Sequence, residues 1–357
     1  MTGKAIIAMS GGVDSSVAAA LAVQDGLECV GVTLKLFGND DVAAPRESAC
    51  CSLADAEDAR RVAYALGVPH YVFDFSEDFR RDVIGRFVGE YMGGRTPNPC
   101  IDCNRFIKFR RLMERMAAMG FDYTVTGHYA RVSRDAASGR WLLMAAADAA
   151  KDQSYVLYAM TQAQLAHTLF PLGGMKKAEV RSAAAGRGFV NAKKRESQDI
   201  CFVPEGRYAD FISRCVGEDL PEGDFIDAGG RVLGRHRGLA RYTVGQRRGL
   251  GLALPAPLYV LEKRVSDNTV VLAPERDLYS RALEARDINL IACGRLERPL
   301  RVAAKLRYGQ AASPATAEQT GEDRLRVEFD EAQRAVAGGQ SVVLYDGDIV
   351  VGGGVIV

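Results

Sequence analysis

No stretch of this 357-residue chain approaches the ~18 consecutive apolar residues that a membrane span needs, so no membrane partner is expected. The N-terminus runs straight into an apolar strand, which argues against a cleaved signal and for a cytoplasmic location. A strong charge of either sign is also missing. Lys and Arg number 46 against 45 Asp and Glu, a net charge of +1. A nucleic acid would therefore have to be held by local patches rather than by the overall field. Internal repeats and low-complexity tracts are absent, which excludes a solenoid or a largely disordered chain. Eight cysteines in a chain of this length do not make a disulfide scaffold. In a reducing compartment, clustered cysteines point instead to metal binding or catalysis. The last absence is a single residue. The first glycine loop has no lysine after its second glycine, and this excludes a Walker A loop.

What that loop does contain is Ser10-Gly11-Gly12-Val13-Asp14-Ser15-Ser16, directly after the apolar run Ala5-Ile6-Ile7-Ala8-Met9 and before a helical pattern, Val17 to Val23. A strand, a glycine turn and a helix N-terminus form an anion cradle. Backbone N–H groups point outward there, and the helix dipole favours negative charge. Glycines let the backbone approach a phosphate closely. The hydroxyls of Ser10, Ser15 and Ser16 add donors. An ordinary glycine turn before a helix would need none of this. The heptad looks like the loop of the pyrophosphatase-loop ATPases, which cut ATP between the α- and β-phosphates and leave AMP on an oxygen.

The length suggests two or three domains. Strand–helix alternation fills the first half. A second strand is predicted over 28–36, a helix from an N-cap at Ser52 to Leu66, a third strand over 71–75 and a helix over 76–91. The segment 93–99, with Pro97 and Pro99, fits neither helix nor central strand. A basic helix, 104–119, and a strand, 123–126, follow. This order predicts a parallel sheet with helices on both faces. Ligands should sit beyond the carboxyl ends of its strands, where the loops after strands one, two and four converge. Beyond about Pro204 short strands and glycine turns take over, with antiparallel strands predicted over 302–308, 324–329, 341–345 and 349–357. The expected organisation is an α/β domain with a parallel sheet over 1–204, a small central domain over 205–275 and a C-terminal antiparallel β-barrel over 276–357.

Cys100 and Cys103 form a C-x-x-C pair after the Pro-Asn-Pro loop. The element order does not suit a thioredoxin-type redox site. A four-cysteine zinc site would need a second pair, and the adjacent Cys50-Cys51 suits tetrahedral chelation poorly. Cys201 follows the basic residues Lys193, Lys194 and Arg195, a setting that favours the thiolate. A thiolate of this kind can carry a persulfide or bind iron. Cys29, Cys215 and Cys293 read as packing residues.

Ten short runs in order now agree. They are Ser10–Ser16, Gly94–Pro99, Cys103-Asn104, Ile107–Phe109, Thr126–Tyr129, Lys151–Tyr155, Ile200–Phe202, Gly245–Gly251, Arg307-Tyr308 and Gly339-Gln340. In these runs the chain resembles the tRNA-specific 2-thiouridylase family (MnmA, also called TrmU) along nearly its whole length. Many members carry Asp where this chain has Cys100, which places three cysteines where a cluster could bind.

The resemblance implies a PP-loop fold of the adenine nucleotide α-hydrolase type. It also implies a reaction. ATP would activate the C2 carbonyl oxygen of the wobble uridine as an adenylate, and sulfur would then replace that oxygen. A carbonyl oxygen leaves a pyrimidine badly, but leaves well as AMP. By resemblance, Cys201 carries the persulfide and Cys103 is the partner nucleophile. Ala8, Met9, Ser10, Gly11, Gly12, Val13, Asp14, Ser15, Leu34 and Gly127 would bind ATP, with Asp14 organising Mg²⁺ and pyrophosphate. Asn98, Pro99 and Cys100 would face the target base, which must leave its stack to be reached. His128, Lys151, Asp152, Gln153, Arg307, Tyr308 and Gln340 would contact the tRNA. Cys100, Cys103 and Cys201 are alternatively the ligands of an iron–sulfur cluster. A protein that donates persulfide sulfur is the further expected partner. Eight Lys and Arg against one acid between Arg231 and Arg264 offer a basic patch for RNA, and Arg105, Lys108, Arg110, Arg111 and Arg115 a second. Two rival readings are an adenylating ligase of small molecules and a non-enzymatic RNA-binding or iron–sulfur carrier protein.

Overall fold

A computed structural model describes residues 2–38, 53–194, 200–203 and 207–357. Its first sheet grows from β1 (Lys4–Ala8). Its inner residues Ala5, Ile6 and Ile7 are apolar in sequence and buried on both faces, as a central parallel strand requires. Alternation splits them. Ile6 faces one apolar cluster, with Val32, Phe79 and Phe87, while Ala5, Ile7 and Met9 face another, with Val17, Ala18 and Ala22. The chain continues through helix α1 (Val13–Gln24), β2 (Glu28–Lys35), helix α2 (Leu53–Ala65), β3 (His70–Asp74) and β4 (Tyr123–Val125). A hairpin of β5 (Arg131–Arg134) and β6 (Trp141–Met144) leaves the sheet, and β7 (Thr168–Leu169) returns to it. The order is β3-β2-β1-β4-β7, and every pairing is parallel. Strand order therefore reverses between β1 and β4, and the crevice at their carboxyl ends is the switch point where such sheets bind ligands.

Two predicted helices differ from expectation. The run over 76–91 is α-helical at Ser76–Phe79 and Gly85–Met92 but π-type at Arg80–Ile84. The basic helix begins five residues before the predicted start, at Pro99. Asn98 caps it, its Oδ1 accepting from Cys100 N at 3.1 Å, and proline occupies the first helical position. The helix then runs in π geometry over Cys103–Arg111 and ends as α-helix at Leu112–Ala118. Long π segments are rare and occur mostly at functional sites. The predicted cap at Ser52 lies outside the described residues, as do Cys50 and Cys51.

The central sheet holds β8 (Gly223–Asp227), β9 (Val232–His236), β10 (Tyr259–Arg264) and β11 (Thr269–Ala273) in the order β10-β11-β8-β9. Last come β12 (Tyr279–Leu290), β13 (Leu300–Lys305), β14 (Ser313–Gly321), β15 (Arg324–Arg334), β16 (Ser341–Asp346) and β17 (Ile349–Ile356). Antiparallel neighbours run β12-β15-β14-β13-β16-β17, and β12 pairs with β17 to close a six-stranded barrel. Alternate residues such as Leu325 and Val327, Ala315 and Ala317, and Val342 and Leu344 fill its interior. The hairpin β5–β6, not foreseen from the sequence, joins this barrel through Ile349 opposite Met144. A hairpin from the N-terminal half of the chain thereby extends the last sheet by backbone pairing. No helix among the described residues is long and apolar enough to cross a membrane.

Candidate nucleotide and thiolation site

Beyond Ala8 the chain is fixed before it turns. Met9 N donates to Val32 O at 2.8 Å, and Thr33 Oγ1 donates to Met9 O at 2.8 Å. Gly11 then takes φ +71°. A Cβ there would stand 2.2 Å from the Asp55 carbonyl oxygen, so both conformation and space demand glycine. Gly12 occupies the N-cap of α1 without a side-chain cap. Ser15 and Ser16 hydroxyls turn back onto the Gly12 carbonyl, at 3.1 and 2.9 Å, and the Ser15 hydroxyl accepts from Ser10 N at 3.2 Å. Across the switch point, Gly127 lies against the first turn of α1, with room for no side chain: a Cβ would be 2.7 Å from Ser15 N. Leu34 is buried in the core at the end of β2. Of the three loops expected to converge, those after β1 and β4 do, Gly127 by close backbone approach, while most of the loop after β2 lies outside the described residues.

Four residues around the loop were not foreseen. Lys177 Nζ donates to both Asp14 oxygens, at 2.7 and 2.8 Å, and Tyr129 Oη donates to Asp14 Oδ1 at 2.9 Å. Asn191 Nδ2 donates to Gly11 O and to Ser16 Oγ, both at 2.9 Å. Lys194 Nζ reaches Gly11 O at 3.3 Å, Asp55 at 2.6 Å and Asp58 at 2.7 Å. Lys194, grouped in sequence with Cys201, spends its charge on two carboxylates and braces the loop. All four lie far from the heptad in sequence; Tyr129 falls in the Thr126–Tyr129 run, but no local pattern ties Lys177, Asn191 or Lys194 to the loop. Asp14, a single part-exposed carboxylate at the mouth of an anion cradle, suits a magnesium ion carried in by phosphates and water. Such an ion would neutralise charge on the phosphates.

The second part of the site is the segment 93–103. Two other regions of the chain hold its start. Thr96 N donates to Gly338 O at 2.8 Å, Gln340 Nε2 donates to Thr96 O at 2.7 Å, and Lys263 Nζ reaches Arg95 O at 3.5 Å. Burial pushes the Lys263 amine down to about 8. Gln340, read from the sequence as a tRNA contact, here ties the barrel to the loop that carries Asn98. Cys100 is exposed on the first helical turn, and Cys103 opens the π segment, half-buried. Cys103 and Cys201 pack against one apolar cluster, that of Phe79, Phe87 and Phe202. Next to Cys103, burial raises the Asp102 carboxyl to about 6 against the pull of Arg86 at 3.4 Å. Among the described residues no three His, Cys, Asp or Glu side chains converge as metal ligands would.

The remaining tRNA candidates fall into two groups. Arg307 and Tyr308 are exposed at the barrel rim, as are Arg247 and Arg248 on the central unit. Lys151 is half-exposed. His128 is buried, and Asp152 is partly buried with its carboxylate shielded. The His128 ring packs against Phe109 and Phe170, with Nδ1 2.8 Å from Thr126 Oγ1, and burial keeps it neutral. Asp152 accepts from Ala146 N and from both Ser154 N and Oγ. Gln153 Oε1 accepts from Tyr129 N at 3.0 Å. These three shape the turn beside the crevice.

Sequence profiles match in three stretches. One described as a tRNA methyl transferase HUP domain covers residues 3–205, one described as a tRNA methyl transferase PRC-barrel domain covers 209–274, and one described as an aminomethyltransferase β-barrel domain covers 280–356. The tRNA-specific 2-thiouridylase MnmA of Clostridioides difficile is 49% identical over 356 residues, covering 100% of this chain and 98% of that protein. The protein of the same name from Moorella thermoacetica is 52% identical over 351 residues, covering 98% of each. This chain belongs to the tRNA-specific 2-thiouridylase family. Among solved structures, a 4-thiouridine synthetase–RNA complex with bound ATP is 19% identical with a TM-score of 0.38, covering 56% of this chain and 44% of that one. At that level the likeness carries no further argument.

Proposed function

We propose that the chain is an ATP-dependent tRNA-uridine 2-sulfurtransferase acting on the wobble uridine. The observation that carries this reading is the Ser10–Ser16 cradle at the switch point, in a member of the 2-thiouridylase family. Residues 1–204 would bind ATP and react, 205–275 would contact the tRNA, and 276–357 would brace the base-facing loop.

The cradle holds the triphosphate through backbone N–H groups at the start of α1, while the Ser15 and Ser16 hydroxyls brace the turn. The uridine O2 attacks the α-phosphorus, and pyrophosphate leaves. A persulfide on Cys201, loaded by a donor protein, then attacks C2 through its outer sulfur, and AMP leaves with the oxygen. Cys103 thiolate attacks Cys201 Sγ. The sulfur–sulfur bond to the nucleoside breaks, 2-thiouridine departs, and a Cys103–Cys201 disulfide remains for an external dithiol to reduce. The shared packing of both cysteines on one cluster supports this relay.

The test is incubation of the chain with ATP, unmodified tRNA and a persulfide donor. AMP, pyrophosphate and 2-thiouridine should form together, and only with a tRNA bearing a wobble uridine. Pyrophosphate released at the same rate without tRNA would favour a small-molecule ligase.

Exposed Arg247 and Arg248 lie in the basic stretch of the central unit. Replacing both with Ala should weaken tRNA binding. It should also reduce the slope of log affinity against log salt by roughly 0.7–0.9 for every phosphate no longer neutralised. A filter-binding series across salt concentrations measures this, and an unchanged slope would mark the patch as a solvated face.

A further inference from the structure

The cradle lacks a lysine of its own, yet an ammonium sits on its acidic residue. Lys177 and Asp14 are 163 positions apart, so the fold makes this pair. Lys177 opens the helix Lys177–Gly186, whose Val180 and Ala184 pack in the same cluster as Val17 and Ala18 of α1. Its backbone N–H is fixed to Asp148 Oδ2 at 2.9 Å. The side chain is only 12% exposed, and its amine lies 5.7 Å from the centre of the Tyr129 ring. The amine is therefore held at the mouth of the cradle by packing on one side and by Asp14 on the other.

The geometry points to Lys177 as the phosphate-binding lysine of this loop, doing from a distant helix what a Walker loop does with its internal lysine. The inference rests on the ATP reading above. A carboxylate at the entrance of an anion cradle repels phosphate unless its charge is compensated, and Lys177 supplies that compensation while the cradle holds no nucleotide. An entering triphosphate offers the ammonium a denser negative charge. The flexible four-carbon stem lets the amine shift onto phosphate oxygens, which leaves the Asp14 carboxylate to face the cation that accompanies the nucleotide. Lys194 is placed differently. Its amine is shared between Asp55, Asp58 and the Gly11 carbonyl, which fits a brace rather than a ligand.

Calorimetric titration of ATP and of inorganic pyrophosphate tests this without any turnover. Lys177→Met should weaken ATP binding roughly tenfold or more, the scale of removing one charge-assisted hydrogen bond, while tRNA affinity stays as in the unaltered chain. Lys177→Arg should keep most of the ATP affinity. Asp14→Asn separates the two roles. In chelator, with no divalent cation, this variant should bind inorganic pyrophosphate more tightly than the unaltered chain, because Lys177 is no longer engaged by a carboxylate. ATP affinity unchanged in Lys177→Met, or no gain for pyrophosphate in Asp14→Asn, would overturn the assignment. An unaltered chain that fails to bind ATP at all would instead overturn the functional reading, which keeps the two failures apart.

Discussion

Cys201→Ser should end thiolation completely while ATP is still consumed on tRNA. A serine oxygen cannot carry a transferable sulfur, so the second half-reaction has no nucleophile. On the proposed mechanism the first half-reaction uses the Ser10–Ser16 cradle, which is held by Gly12, Ser10 and Asn191. The change is nearly isosteric, and the neighbouring Phe202, fully buried among Phe79, Phe87 and Phe211, anchors the segment independently. Pyrophosphate should therefore appear without 2-thiouridine, and AMP should stay on the uridine oxygen until water displaces it and restores the uridine. Cys103→Ser should also yield no free 2-thiouridine, but it should release AMP once per enzyme and leave the tRNA bound to Cys201 through a disulfide. Cys100→Ala should stay substantially active, since an exposed residue on the first helical turn has no place in the relay. Mass spectrometry of digested tRNA, alongside AMP release, measures all three. Normal 2-thiouridine from Cys201→Ser would remove the persulfide carrier from the mechanism. Loss of activity in Cys100→Ala, restored in step with iron content, would replace the relay with cluster chemistry.

The parallel sheet was legible because its signal is local and repeated. Apolar runs such as Ala5–Met9 and Glu28–Leu36 are bounded by glycine turns and alternate with helical patterns, and β1 and β2 lie where those runs stand. The loop itself was legible for a similar reason: seven consecutive residues carry the whole backbone device. Hairpin β5–β6 was not. Its strands are four residues each, and what stabilises them is pairing with a barrel strand some two hundred residues later. The helix start at Pro99 was missed because a double-proline segment reads as a breaker, although proline suits the first helical position and Asn98 is its cap. The residues that complete the site were hidden by distance. Lys177, Asn191 and Lys194 reach the loop from beyond β7, and Gln340 reaches Thr96 from the barrel. Single polar residues in ordinary helical or turn surroundings give no sign of such contacts. His128 and Gln153 show the reverse. Their runs match the family, but burial and hydrogen bonding place them as supports for the turn beside Tyr129. Tyr129 in turn holds Asp14, so these runs serve the crevice through the residues they position.

That chain of support ends on Asp14, and Asp14→Ala should have the largest effect on the first half-reaction. The carboxylate has three jobs in one place. It stands at the mouth of the cradle where phosphates would enter, holds the Lys177 ammonium at 2.7 and 2.8 Å, and receives the Tyr129 hydroxyl at 2.9 Å. Removing it leaves a part-buried ammonium without its counter-charge and removes the oxygen ligand that a phosphate-bound cation would use. Adenylation should fall by at least about 10²–10³-fold, the scale of losing one preorganised group at a centre of developing charge. tRNA affinity should be nearly unaffected, because the exposed arginines of the central unit and of the barrel rim lie on other elements. Incorporation of labelled pyrophosphate into ATP, in the presence of tRNA, isolates this step from sulfur transfer. Asp14→Asn should be intermediate in fold stability but equally poor in exchange, since an amide keeps the Tyr129 hydrogen bond and loses the charge. Near-normal exchange in either variant would mean that the phosphates do not lie against α1. The Ser10–Ser16 loop would then be a structural turn, and the adenylation chemistry would have to be sought elsewhere in the crevice.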